Sequence, residues 1–298
     1  LPVSQTVTAF APAKVNLFLH VGPPGRDGYH PLCSLMVFAD VGDRLTAHAA
    51  PDIGLEVRGR FADGAPAGPE NLVLRAARAL LSDPKAGGAH LVLEKALPVA
   101  AGLGGGSSDA GAALRLLRPL LRPDVTDAAL QELAASLGAD GAACLWGAPV
   151  LAQGRGERLS PAPVLPPLAA VLVNPGVPVS TPKVYRAFDE AGRFGDIEPP
   201  AMPPALAGAG EAAAWLAALR NDLEAPACAV EPAVAEVLAA LRGESEALLA
   251  RVSGSGGTCF ALCEDMAAAH ALAARMAARA PHGWVRACRL GGPWPDAG

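Results

Sequence analysis

Residues 102–109 read Gly-Leu-Gly-Gly-Gly-Ser-Ser-Asp, and the stretch directly behind them, AGAALRLLRPLL, is built almost entirely of strong helix formers. Glycines have no side chain to keep an anion away from backbone N–H groups. A helix that follows at once points its own unpaired N–H groups and positive dipole end at the same spot. The junction is therefore a cradle for phosphate, and the hydroxyls of Ser107 and Ser108 could donate to phosphate oxygens or ligate Mg²⁺. It is not a Walker A loop, because no Lys-Ser/Thr follows the glycines. It also fails G-x-G-x-x-G, because Ser107 holds the last glycine position. By composition alone the run also fits a flexible linker; the adjoining helix favours the phosphate reading.

The rest of the chain sets the context. Its 298 residues suffice for two packed lobes, and 51% apolar against 18% charged residues is a globular balance. A net charge of −5 argues against the nucleic-acid backbone or an anionic membrane as main partner. The six cysteines form no CxxC pair and the six histidines no HExxH, so neither a disulfide framework nor a zinc site is signalled. Read as small buried hydrophobes, the cysteines imply a reducing, cytoplasmic setting. Residues 160–182 carry no charge but contain seven prolines, which suits a linker plus a strand rather than a membrane span. The segment LPVSQTVTAF lacks the features of a secretory leader.

Hydrophobic periodicity predicts one or two strands over 6–21, placing Lys14 on or beside a strand. An apolar segment over 32–41 and strands at RLTAHA and IGLEVRG follow. A helix is expected over 71–81, a strand over 90–94, the helix behind the glycine loop, and a helix over 127–137 stopped by Gly138, with Asp140 just beyond it. Pro161, Pro163, Pro166 and Pro167 mark a break near residue 160. Residues 1–160 are expected to form an N-terminal lobe that carries the glycine loop, and residues 161–298 a second, C-terminal lobe. The second unit holds strands over 169–173, 247–252, 258–262 and 284–289 and helices over 211–219, 233–241 and 266–279. The class is α+β.

Lysine is scarce: Lys14, Lys85, Lys95 and Lys183 stand against twenty arginines. Lys14 sits in an apolar setting, where an ammonium either snorkels or meets an anion. Asp140, after a helix-ending glycine, is a turn residue or a functional carboxylate. Phosphoryl transfer needs a group that orients or deprotonates the acceptor hydroxyl, and a cation beside a carboxylate keeps it ionised.

Three segments, APAKVNLFLHV, PVAAGLGGGSSDAGAAL and VSGSGGTCFAL, resemble in this order the three motifs of the galactokinase, homoserine kinase, mevalonate kinase and phosphomevalonate kinase (GHMP) superfamily. RDGYHPLCSLMVFADVGD, ENLVLRAA, LGADGAACLWGAPVLAQGRGERL and NDLEAPA resemble the branch of it that acts on a cytidine-diphosphate-linked methylerythritol, so that the likeness spans residues 9–262. The resemblance implies a two-lobe GHMP-kinase fold, with a ribosomal-protein-S5-domain-2-like N-terminal lobe and a ferredoxin-like C-terminal lobe. It implies transfer of ATP's γ-phosphate to the 2-hydroxyl of the methylerythritol, with Mg²⁺ bridging the phosphates and no metal ligand assigned to the protein. Lys14 and Asp140 match the catalytic pair. Pro98, Val99, Ala100, Ala101, Gly102, Leu103, Gly104, Gly105, Gly106, Ser107 and Ser108 match the ATP loop, Asn71 a position near the adenine, and residues 253–257 a cover over the cleft. Asn16, Tyr29, His30, Thr181 and Tyr185 match the cytidine site. Tyr29 and Tyr185 are the chain's two tyrosines, which suits stacking on a base.

The partner implied is thus a small molecule, with neither nucleic acid nor membrane, and the protein a monomer or homodimer. The sequence departs from the family pattern at GPPGRDGYH, at Gly-Ala-Ala-Cys-Leu after Asp140, and at Gly257, where proline is common. Those changes bear on packing and loop rigidity more than on the reaction. A sister kinase acting on homoserine or mevalonate would have no reason for the Asp-Gly-Tyr-His segment. A catalytically silent nucleotide-binding protein would not need both Lys14 and Asp140.

Overall fold

The computed structural model describes residues 6–81 and 87–295; Lys85 and the first five residues lie outside them. Strands β1 (Val7–Val21) and β2 (Leu32–Ala50) pair antiparallel from Val7 opposite Ala47 to Val21 opposite Leu32. The expected one or two strands over 6–21 are thus one strand from Val7, and the apolar segment and RLTAHA merge into a single 19-residue strand. The register of β1 against β2 shifts between Pro12 and Lys14 and again between Asn16 and Phe18. Each irregularity breaks the strict alternation of faces and re-aims the side chains around it.

The opposite edge of β2 is shared. Its second half pairs with β4 (Gly88–Glu94), which carries β3 (Gly54–Arg58) in parallel. Its first half pairs with β5 (Val150–Gly154), which folds back as a hairpin into β6 (Arg158–Pro161). A second set of strands, β7 (Leu168–Asn174), β8 (Leu249–Val252), β9 (Cys259–Leu262) and β10 (Trp284–Gly291), runs in the order β10-β7-β9-β8, all antiparallel. Only Leu290 opposite Ala39 and Gly291 opposite Phe38 link this set to β2.

Helices α1 (Leu72–Leu80), α2 (Gly105–Leu121), α3 (Asp127–Leu137) and α4 (Gly141–Trp146) cover the first set. Ala112, Ala113, Leu114 and Leu117 of α2 pack with Leu45, Leu91 and Leu93 of the sheet in one core. Beyond them lie α5 (Thr181–Ala191), α6 (Ala209–Ala217), α7 (Glu224–Val230), α8 (Pro232–Arg242) and α9 (Met266–Arg279). Val234, Leu238, Leu272 and Met276 of α8 and α9 bury against Val171, Val173 and Ala261 of β7 and β9. Among the described residues no helix is long and apolar enough to cross a membrane.

Two expectations shift. The helix behind the glycine loop starts at Gly105, so Ser107, Ser108 and Asp109 lie inside its first turns instead of ahead of it. The periodicity also leaves α4, α5, α7, β5 and β6 without an element. The first is only six residues long, and α5 is marked by little more than Pro182 at its start and the apolar i,i+4 pair Val184 and Phe188.

His20 on β1 is 4% exposed, and neither ring nitrogen has a hydrogen-bond partner. Burial, helped by the nearby Arg220 guanidinium, lowers it from the ordinary 6.5 to about 4. The unfolded chain therefore takes up a proton below pH 6.5 that the folded chain refuses until about pH 4. Stability is highest above that window and should fall by up to about 3 kcal/mol as pH drops through it. His20→Leu should flatten this slope in urea melts taken from pH 7 to 4; an unchanged slope would remove His20 as its cause.

Candidate active site

The glycine loop leaves β4 and crosses β1, where the Lys14 N–H donates to the Leu103 carbonyl at 2.8 Å. Its backbone is turned by positive φ at Ala100 (+52°), Gly102 (+72°) and Gly104 (+61°), and Ala100 is the one non-glycine residue with positive φ among those described. At Gly102 a Cβ would stand 2.4 Å from the Gly256 carbonyl oxygen and 2.5 Å from that of Ser253. Glycine is required there both by conformation and by the close crossing of a second backbone. That second backbone is the third motif, residues 253–257. Ser253 Oγ donates to the Gly102 carbonyl at 3.0 Å and accepts from the Asn16 N–H at 3.3 Å, so one hydroxyl joins segments from three distant parts of the chain. Gly257 has φ of +87°, which proline's ring excludes.

These elements border a cleft of 1670 Å³. Pockets for one drug-sized ligand run to about 1,000 Å³, so two ligands can share this one. Pro98, Val99, Ala100, Ala101, Gly102, Leu103, Gly104, Gly105, Gly106 and Ser107 line it, as do Asn71, Lys14, Asp140, Asn16, Tyr29, His30, Thr181 and Tyr185. Ser108 does not. It is fully buried on the inner side of α2, because the helix has already begun and turns this position away from the cleft, while Asp109 beyond it lines the cleft again. Asn71 caps α1: its Oδ1 accepts from the Val73 N–H at 2.8 Å and its Nδ2 donates to the Pro66 carbonyl at 2.6 Å. The first turn of α2 meets the cleft at Gly105, Gly106 and Ser107. A Cβ at Gly106 would touch only the Leu72 side chain, at 3.4 Å, so the backbone here is open to an anion of triphosphate size.

Lys14 is 4% exposed. Its Nζ lies 3.2 Å from Asp140 Oδ2 and donates to Asn16 Oδ1 at 2.7 Å. Asn16 is held in turn, because its Nδ2 donates to Ser34 Oγ at 2.7 Å and that hydroxyl donates to the Phe18 carbonyl at 2.6 Å. Asp140 occupies the N-cap position of α4 without capping it, so its carboxylate stays available to the cleft. Gly141 explains the tight passage from α3 to α4: a Cβ there would fall 1.9 Å from the Ala134 carbonyl oxygen.

Tyr29 is 60% exposed, and Asp27 Oδ1 accepts its N–H at 3.0 Å. The Arg155 guanidinium lies 4.3 Å from the Tyr29 ring centroid and ion-pairs with Asp27. His30 Nδ1 is 2.8 Å from the Gly22 carbonyl, which can only accept, so Nδ1 carries the hydrogen; Nε2 faces Asp189 Oδ1 at 3.3 Å. The His30 and Tyr185 ring centroids are 5.0 Å apart, and the Thr181 and Ser255 hydroxyls are hydrogen-bonded at 2.7 Å. Burial, with the Asp140 charge adding to it, pushes the Tyr185 hydroxyl up to about 12.

Sequence reasoning singled out neither Arg155 nor Asp189 as a cleft residue, and it missed a buried ion cluster of Lys95 with Asp43 and Asp109. The scarcity of lysine could have marked Lys95, which stands just ahead of the glycine loop. No local pattern marks Arg155 or Asp189, because their neighbours come from other elements.

A crossing of three short motifs over a cleft, in a fold of this topology, defines a GHMP kinase. The GHMP kinases N terminal domain family matches residues 71–148 and the GHMP kinases C terminal family residues 202–282. The 4-diphosphocytidyl-2-C-methyl-D-erythritol kinase of Caulobacter sp. (strain K31) is 58% identical over 291 residues, 96% of this chain and 99% of that one. A crystal structure of 4-(cytidine 5'-diphospho)-2C-methyl-D-erythritol kinase superposes with a TM-score of 0.74 at 37% identity, covering 96% of this chain and 100% of the other. The homoserine kinase of Cytophaga hutchinsonii shares the fold, with a TM-score of 0.63 at 21% identity over 98% of this chain and 96% of its own. The chain belongs to the 4-diphosphocytidyl-2-C-methyl-D-erythritol kinase family.

The crossing at Gly102 generates a direct prediction. Gly102→Ala should force the loop off residues 253–256, costing on the order of 2 kcal/mol in a thermal or urea melt and raising the KM for ATP at least tenfold. A variant with normal stability and normal KM would show that the crossing does not shape the loop.

Proposed function

We propose that this chain transfers the γ-phosphoryl group of ATP to the 2-hydroxyl of 4-diphosphocytidyl-2-C-methyl-D-erythritol, in the supply of isoprenoid precursors outside the mevalonate route. The observation that carries this is the Lys14–Asp140 pair, 3.2 Å apart and facing a cleft that holds both a phosphate loop and a cluster of aromatic and imidazole rings. The family relationship supports the choice of substrate. The reaction belongs in the cytoplasm, and the division between the catalytic and closing lobes falls near residue 160.

The backbone N–H groups of the loop and of the first turn of α2 hold the triphosphate. Ser107, the hydroxyl at the cleft end of α2, would face a Mg²⁺ ion carried in with ATP, which would neutralise charge across the phosphates. Asp140 accepts the proton of the acceptor hydroxyl as that oxygen attacks phosphorus. The Lys14 ammonium, fixed by Asn16, offsets the charge that grows on the phosphoryl oxygens. Because Lys14 and Asn16 are already oriented before substrate arrives, little reorganisation is needed at the reacting centre.

For the base, Tyr29 offers one exposed face while Arg155 covers the other. His30, Tyr185 and Thr181 complete the pocket.

The test is ATP consumption by purified protein with Mg²⁺ and, in parallel, 4-diphosphocytidyl-methylerythritol, homoserine and mevalonate. Turnover confined to the first is expected; turnover with either of the others would discard the cytidine pocket. Asp140→Asn should lower kcat by about 10²- to 10⁴-fold with KM for ATP little changed, and near-normal kcat would remove Asp140 from the chemistry. Tyr29→Ala should raise the KM for the cytidylyl substrate by an amount that matches about 1–3 kcal/mol of stacking, leaving the KM for ATP alone. An unchanged KM would sink the stacking role.

A further inference from the structure

Beneath the glycine loop, outside the catalytic pair, lies a second lysine with two carboxylates. Asp43 on β2 is fully buried, and Lys95 and Asp109 are 4% and 3% exposed. Lys95 Nζ donates to Asp43 Oδ2 and, at 2.7 Å, to Asp109 Oδ2. Asp43 Oδ1 accepts from the N–H groups of Ala96 and Leu97 at 2.6 and 2.8 Å. Asp43 and Lys95 therefore grip the chain where the loop leaves β4, and Asp109 grips it where the loop has become α2. A single cluster ties both ends of the segment that contains the strained Ala100 and the left-handed Gly102 and Gly104. Strained backbone persists only where its surroundings over-determine it, and nothing in the reaction outlined above uses these three side chains.

Resting on the kinase reading, we propose that Lys95, Asp43 and Asp109 are positioning residues that pre-set the phosphate loop for ATP, with the Lys95–Asp109 hydrogen bond as the tie that closes it. Burial, with Asp43 beside it and Lys95 opposing, pushes Asp109 up to about 8. Near neutral pH the cluster can therefore hold one proton on Asp109 and carry no net charge, which avoids a buried anion below a triphosphate. The Lys95–Asp109 tie then depends on an acceptor oxygen at position 109 rather than on its full negative charge.

The experiment compares Asp109→Leu, which removes the acceptor, with Asp109→Asn, which keeps an acceptor oxygen in the shape of the protonated acid. Amide hydrogen exchange is read on the nucleotide-free protein, so the result stands whether or not the chain turns over the expected alcohol. In Asp109→Leu, exchange across residues 97–104 should quicken by about tenfold while β7 and β10 keep their protection. KM for ATP should rise about tenfold, with KM for the second substrate and kcat changed less than about threefold. Asp109→Asn should restore both readings to within about twofold of the original chain. If Asp109→Leu does not fold, the triple variant Lys95→Met, Asp109→Leu and Asp43→Asn decides instead: the whole ion cluster is replaced, and the position-43 amide oxygen still accepts from Ala96 and Leu97. It should show the same loop exchange and ATP KM expected of the single variant. Unchanged loop exchange in a folded variant that lacks the tie, or an Asp109→Asn protein as impaired as Asp109→Leu, would overturn the proposal.

Discussion

The crossing of the glycine loop by residues 253–257 is the constraint on which the rest of the site depends. Ser253 connects the Gly102 carbonyl to the Asn16 N–H, and Asn16 in turn orients Lys14. A displacement of the loop therefore moves the lysine's support as well as the phosphate cradle. The contact is backbone against backbone, closer than any Cβ would allow at Gly102. Glycines here do two jobs: they leave N–H groups open toward the cleft, and they let a segment from the second strand set lie directly on the first. Asn221 extends the same logic. Its Nδ2 donates to the Val252 and Gly254 carbonyls, both at 2.8 Å, so that the covering segment is held from its outer side too.

Much of this arrangement was legible in the sequence, for identifiable reasons. The loop and its helix could be read because glycine freedom and helix preference are local properties, and α9 could be read end to end because its apolar residues repeat at helical spacing. Pairing is not local. Whether 32–50 forms one strand or two depends on β1, β4 and β5 lying alongside it, which no window of residues reveals. Ser108 shows the same limit at atomic scale. Adjacent serines look equivalent in a loop, but once the helix begins at Gly105 they point about 100° apart, and only Ser107 reaches the cleft. Short elements such as α4 were invisible because six residues carry too little periodicity to separate helix from turn.

The cytidine side of the cleft depends less on rigid backbone and more on paired side chains. Tyr29 projects from a loop with most of its surface exposed, yet it does not swing freely, since Asp27 holds its N–H and Arg155 at once. The guanidinium lying over the ring fills the face a base does not use. His30 is similarly fixed from two sides, by the Gly22 carbonyl and by Asp189. Recognition here comes from rings whose orientation is set in advance, which limits the entropy lost when a ligand is clamped between them.

The two buried lysines show how one residue type serves two ends. Lys14 meets a single carboxylate, Asp140, that is 31% exposed and open to the cleft, so its charge is only partly answered within the protein and can act on an incoming phosphoryl group. Lys95 meets two carboxylates, both nearly inaccessible. Burial works against its ammonium, but the Asp43 charge and the hydrogen bonds to both acids outweigh that and hold it protonated, which leaves its charge answered and its hydrogen bonds committed. Arginine, abundant elsewhere in the chain, suits neither place. Its planar fork would need more room than the space beside Gly104 and Gly105, where even a Cβ would approach Lys14 Cε at 3.2 Å and Lys95 Nζ at 3.4 Å. The compact ammonium is what allows the loop to run so close above both lysines, one holding it in shape and the other facing the reaction.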